Sequence, residues 1–338
     1  MQKYVNIWRD PLVFTFMKAI LRCFAAMSLL LPVGISAEER RTVVSPLPSE
    51  EILKPCEYRL VIPDEQRPVR AVWVIFDRGQ DYLKWYLDPA IRTFAGEHAL
   101  GLLLAAHCRS KEREDMIIEP SKGVGRALFT ALEQFGESAH RGELKRVPII
   151  AMGWSGAGAL VGRMAGYRPG RYLAGIAYAP GQYEPLGMDT IELSKEAIRA
   201  PQLIIANGAD NINGTERPYN YFKKYFDQGA PWTFAVQNQT PHCCLQNAQS
   251  LILSWLHGVL TTNRDSWRSR RFGFIQVGDS AVRDEWKRPV FNAASGRAGG
   301  ERQISGAELP AGWLPPGTFS AEWLTFVRRP EPLTVWKP

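Results

Sequence analysis

Short apolar runs alternate with amphipathic segments through most of the chain. Residues 69–76 (VRAVWVIF), 100–106 (LGLLLAA), 147–152, 172–179 (YLAGIAYA), 202–206 and 232–236 are each closed by turn residues. Runs of this length with no polar face predict strands buried on both sides. Residues 57–62 (EYRLVI) predict an edge strand. Between them the period changes to that of a helix. Asp88 caps and Pro89 fills a first turn, with Ile91, Phe94, Ala95 and Leu100 recurring at helical spacing. Ser121 is the expected cap of a helix with Val124, Ala127, Leu128, Ala131, Leu132 and Phe135 on one face. Residues 218–226 and 244–260 predict two more helices. Strands that alternate with helices over residues 70–260 predict an α/β architecture, a mostly parallel sheet with helices on both faces. From Thr261 the pattern breaks. Residues 262–338 hold Trp, Pro and Gly in irregular order, with one short helix near residues 320–327.

The two ends of the chain divide off from this middle. Residues 1–37 have the layout of a secretory signal: two positive charges after Met17, an apolar stretch over residues 23–33, and small residues at Ser36 and Ala37. Residues 1–16 fit that layout poorly, which leaves Met17 as an alternative start. The apolar stretch is shorter than the roughly 20 residues of a membrane span, so the expectation is cleavage after Ala37, no stable membrane span afterwards, and a periplasmic or secreted protein. Residues 38–54 are polar and Pro-bearing and read as an extended leader, residues 55–260 as the main α/β domain, and residues 261–338 as an appendage of unassigned role.

Charge and cysteines change the picture in two ways. The formal charge of +7 includes +3 from residues 1–37 (Lys3, Arg9, Lys18 and Arg22 against Asp10), which leaves +4 for the rest. The remaining basic residues are scattered apart from Arg268, Arg270 and Arg271, so no nucleic-acid footprint is expected. An oxidising compartment lets Cys56, Cys108, Cys243 and Cys244 pair in any of three ways. Their spacing does not suit a zinc site.

The chemistry centres on residues 146–166, RVPIIAMGWSGAGALVGRMAG. A buried strand runs into Gly153-Trp154-Ser155-Gly156-Ala157 and then into a small-residue helix. A serine on so tight a turn has a strained backbone and an exposed hydroxyl, with small residues two before and two after it. The plainer reading is an ordinary Gly-rich turn or a phosphate-binding one. A nucleophilic serine also needs a base and an acid that orients the base. Asp210 follows the strand PQLIIAN on a Gly-bearing loop, and His242 stands in the loop after the next strand. The other histidines, His98, His107, His140 and His257, lie in less suitable contexts. Asp227 is the rival acid and His107 the rival base.

The turn, the order serine–acid–histidine and the alternation of strands and helices resemble the α/β-hydrolases, over about residues 55–260, with Ala157 in place of the usual last glycine of the nucleophile elbow. Within that superfamily the chain is similar to secreted esterases and polyester depolymerases. The resemblance implies a catalytic Ser155–Asp210–His242 triad and an oxyanion hole built from the Gly156 N–H and a donor in the turn after the first long strand. Asp77-Arg78-Gly79 stands where many relatives carry His-Gly-Gly, so the second donor is Arg78 or Gly79. Tannase-like and feruloyl esterases join a Cys after the histidine to a Cys before the serine. Here Trp154 precedes Ser155, and a substitute bridge from Cys243 or Cys244 to Cys108 is conceivable. Trp154 either lines an acyl pocket or packs on the sheet, and Gln182 and Tyr183 (with Met188) either form a substrate rim or an incidental loop.

The expected activity is hydrolysis of a carboxylic ester, free or glycan-linked, through an acyl-enzyme, with no metal and no organic cofactor. A serine peptidase of the same fold and a non-catalytic binding module are the alternatives.

Overall fold

The structure, a computed structural model, describes residues 38–76, 80–106, 108, 119–181, 192–237, 239–261, 291–292, 308–309, 312–315 and 318–328. Eight strands form the central sheet: β1 (Glu39–Val44), β2 (Cys56–Val61), β3 (Ala71–Phe76), β4 (Leu100–Ala106), β5 (Ile149–Trp154), β6 (Tyr172–Tyr178), β7 (Gln202–Asn207) and β8 (Trp232–Gln237). Their order across the sheet is β1-β2-β4-β3-β5-β6-β7-β8. β1 runs antiparallel to β2 and β2 antiparallel to β4, while every other neighbour is parallel. Every residue of β3, β4, β6, β7 and β8 is buried, as a sheet covered on both faces requires.

Helices α1 (Gln80–Leu87), α2 (Pro89–Glu97), α3 (Val124–Ser138), α4 (Gly156–Tyr167), α5 (Glu216–Phe226) and α6 (Gln249–Thr261) supply the crossovers and the last cover. Asp88 caps α2 as its sequence predicts, accepting from the Ala90 and Ile91 amides. Burial follows the predicted face of α3, from Val124 through Phe135. Ser121 does not cap that helix. It lies inside a 3-10 turn (Pro120–Lys122) opened by Glu119, and Gly123, at φ 121°, starts α3.

Two further expectations are corrected. Residues 57–62 are not at the edge, because residues 39–44 of the supposed leader form β1 outside them. Thr42, Val43 and Val44 favour a strand, and the three charges Glu39, Arg40 and Arg41 suit the solvent edge that they occupy. Residues 244–260 do not form one continuous helix. Cys244 takes a left-handed backbone, a short 3-10 turn (Leu245–Ala248) follows, and α6 starts only at Gln249.

Part of the C-terminal appendage closes the opposite edge. Gly312 forms a bridge with Thr233 of β8, the Trp313 N–H donates to the Trp232 carbonyl at 2.7 Å, and the Thr233 hydroxyl donates to the Trp313 carbonyl. Gly312 sits at φ 81°, and a Cβ there would stand 2.1 Å from the Trp232 carbonyl oxygen, so only glycine brings the tail this close. Helix α7 (Phe319–Arg328) then packs on α6 and β8, burying Phe319, Trp323, Phe326 and Val327.

Candidate active site

Ser155 joins the end of β5 directly to the start of α4, with φ 54° and ψ −121°. A left-handed backbone at a residue with a side chain is strained and persists only where its surroundings enforce it. Here the Ser155 N–H donates to the Tyr178 carbonyl at 3.1 Å, and its own carbonyl accepts from Gly158 (2.9 Å), Ala159 (3.3 Å) and Gly181 (3.1 Å). The side chain makes no capping bond to its own helix, and the residue is half-buried. Gly153 permits the tight turn, since a Cβ there would lie 2.3 Å from the Ala157 carbonyl oxygen. Ala157 itself is fully buried, so its methyl group fits where the usual glycine would stand. Gly156 is the first residue of α4, and the opening amides of a helix have no intrahelical acceptor.

Six non-glycine residues among those described have positive φ. Ala99 and His140 follow the C-caps of α2 and α3, where a left-handed residue is ordinary. The other four, Ser155, Ala179, Gln239 and Cys244, all lie in the loops that leave β5, β6 and β8 at one edge of the sheet. Backbone strain therefore concentrates where the candidate residues are.

The acid and the base meet. Asp210 is fully buried, and its Oδ2 lies 2.6 Å from His242 Nδ1. Its Oδ1 accepts from the Ile212 (2.8 Å) and Asn213 (3.0 Å) amides. A carboxylate that accepts from Nδ1 fixes the imidazole tautomer and leaves Nε2 free to take a proton. The Trp154 ring, next to Ser155 in sequence, lies against the His242 ring with centroids 4.9 Å apart and planes tilted by 33°.

The loop carrying His242 is held on both sides of that residue. Asn207 Nδ2 donates to the Pro241 carbonyl at 2.7 Å and to the Cys243 carbonyl at 3.0 Å. The Tyr178 hydroxyl donates to the same Cys243 carbonyl at 2.6 Å. Asn207 and Tyr178 were not singled out from sequence; the signal that marks them is a polar tip at the last position of a buried strand.

The remaining candidates separate from this cluster. Asp227, the rival acid, is the C-cap of α5 with its carboxylate on Lys223 at 2.5 Å. His98 and His257 face each other at 3.2 Å, between the end of α2 and α6. His140 sits beyond the end of α3. Arg78, Gly79, His107, Gln182, Tyr183 and Met188 lie outside the described residues. The conceived bridge to Cys108 is overturned: Cys56 pairs with Cys108, and Cys243 pairs with its neighbour Cys244. Cys56 opens β2 opposite the exit of β4, and that register brings Cys108 within 4.6 Å, Cα to Cα. No group of three or more His, Cys, Asp or Glu suited to a metal ion occurs among the described residues.

Strand order, the elbow turn and the loops that follow β7 and β8 together define the class: this is an α/β-hydrolase fold. No known family's sequence pattern matches the chain and no curated protein is similar to it at a significant level. Solved structures that resemble it include poly(3-hydroxybutyrate) depolymerase LpqC of Bordetella parapertussis, at 16% identity over 65% of this chain and 89% of that one, TM-score 0.46. An esterase of Pyrobaculum calidifontis is 13% identical over 77% and 95%, TM-score 0.46. The fluorophosphonate-binding serine hydrolase F of Staphylococcus aureus is 11% identical over 66% and 98%, TM-score 0.44.

Proposed function

We propose that this chain is an exported serine hydrolase that cleaves carboxylic esters through an acyl-enzyme on Ser155. In this reading His242 Nε2 takes the Ser155 proton as the oxygen attacks the ester carbonyl, and then returns it to the departing alcohol. Water repeats the sequence to release the acid. Asp210 holds the imidazole in the tautomer that makes both transfers possible. The Gly156 N–H is one oxyanion donor, and the second comes from Arg78 or Gly79. The substrate is a small or aromatic acyl ester, free or attached to a glycan, and Trp154, Gln182 and Tyr183 border its acyl group. The chemistry needs neither metal nor organic cofactor. Export is supported by the signal-like residues 1–37 and by the two disulfides.

The observation that carries the reading is the 2.6 Å contact between buried Asp210 and His242, with Trp154, the residue before a strained Ser155, lying against the same imidazole. A fluorophosphonate probe tests it. Labelling of the purified protein that disappears in Ser155→Ala is the expected result. A folded wild-type protein that stays unlabelled would favour a binding module. Turnover of p-nitrophenyl esters in preference to aminoacyl anilides is expected, and the reverse preference would make the protein a peptidase.

A further inference from the structure

We propose that Asn207 is a positioning residue for the acid–base pair, a role that rests on the reading of His242 as the base. One side-chain amide donates to the two carbonyls that flank His242, those of Pro241 and Cys243, at 2.7 and 3.0 Å. Only an NH2 group carries two hydrogens for two such acceptors, so the orientation of the amide is fixed: reversed, its oxygen would face both carbonyls. Asn207 also touches the acid's side of the pair, because its carbonyl accepts from the Asp210 N–H at 3.2 Å. The His242 loop is therefore tied to the Asn207 side chain and the Asp210 loop to its main-chain carbonyl, so one residue at the end of β7 holds the backbones of both.

Two further observations argue that this clamp serves geometry more than stability. Asn207 Oδ1 is buried and has no donor among the described residues, which is a cost to the fold, because a buried acceptor left unpaired loses its hydration without return. Cys243 and Cys244 are joined in a ring with Cys244 at φ 74°, so the peptide whose carbonyl Asn207 and Tyr178 share has little freedom of its own. Local strain and an unpaired polar atom beside the proposed base are the pattern expected where position is the selected quantity. Without the clamp the imidazole can swing about its loop, and displacement of a reacting group by about 1 Å is enough for a loss of order 100-fold.

The experiment compares wild type with Asn207→Asp, Asn207→Ala and Tyr178→Phe. For the Asn207 variants kcat on a p-nitrophenyl ester is expected to fall about 10- to 100-fold, with KM within about twofold. The low-field proton resonance of the His242 Nδ1–H hydrogen bond is expected to broaden or vanish while the thermal midpoint shows a folded protein. Tyr178→Phe, which removes one of the two donors to the Cys243 carbonyl, is expected to give a smaller loss in the same direction. Folded Asn207 variants with wild-type kcat and an intact low-field resonance would overturn the assignment. If those variants do not fold, Tyr178→Phe decides through the same resonance: loss supports the clamp and retention overturns it. The resonance reports the Asp210–His242 pairing without turnover. A wild-type protein that shows it yet ignores fluorophosphonate would sink the hydrolase reading while leaving the clamp testable.

Discussion

Ser155 keeps a left-handed backbone because four hydrogen bonds, shared between the first turn of α4 and the exit of β6, leave its peptide no alternative. The tight strand-to-helix turn was legible in the sequence from Gly153 and Gly156 around Ser155 after a buried strand, while the turn alone did not separate an elbow from an ordinary Gly-rich turn. Asp210 and His242 were legible by their order and by the strands before them. Asn207 and Tyr178 were not, because their side chains act across residues far apart in the chain, a relation that no local spacing encodes. The vicinal pairing of Cys243 and Cys244 was equally hidden: four cysteines define possibilities, and only the register of β2 on β4 selects between them. At this scale the sharpest expectation concerns Asp210→Asn. The amide preserves shape but offers a donor where Nδ1–H needs an acceptor, so the wrong tautomer is favoured. A fall in kcat of about 10⁴-fold is expected, with KM little changed, read by steady-state kinetics on a p-nitrophenyl ester.

Among elements, the buried strands and amphipathic helices announced themselves through periodicity, and their ends shifted by only a few residues. β1 escaped because a polar edge strand has one wet side and unpaired backbone, so its composition resembles a leader. α1 escaped because polar Gln80 and Asp81 continue the turn expected after the first long strand, whereas the helix begins at Gln80 and buries Tyr82, Trp85 and Tyr86. The tail was the least readable part. Its helix was foreseen near residues 320–327, but its purpose depends on an acceptor, the Trp232 carbonyl, that lies far away in sequence. Trp323 packs on β8 fully buried and donates its Nε1–H to the Phe234 carbonyl at 2.9 Å. Trp323→Ala is expected to cost about 3–5 kcal/mol. Urea unfolding checks this, and a fall below 1 kcal/mol would mean that α7 contributes little to holding the edge.

The whole molecule is stitched by the Cys56–Cys108 disulfide, which closes a sequence separation of 52 residues across adjacent antiparallel strands. In the chain-entropy account a loop of that size stabilises by about 4 kcal/mol. Global stability should also respond to alkali. Burial pushes the Tyr58 and Tyr172 hydroxyls well above the ordinary tyrosine range. In the unfolded chain both titrate near 10, so above that pH the unfolded state binds fewer protons than the native one and stability falls as pH rises. Each contributes a slope of at most about 1.4 kcal/mol per pH unit. Urea midpoints measured from pH 8 upward should be level at first and then decline beyond about pH 10, with a shallower decline in Tyr58→Phe.

The order of synthesis gives the tail another meaning. Thr233 and its partner Trp313 are 80 residues apart, so the growing chain contains every strand of the main sheet well before the segment that seals β8 exists. During that interval β8 offers a row of unpaired amides and carbonyls to any neighbouring chain. Residues 312–313, made well after the strand they cover, thus decide whether β8 ends against its own polypeptide or against someone else's.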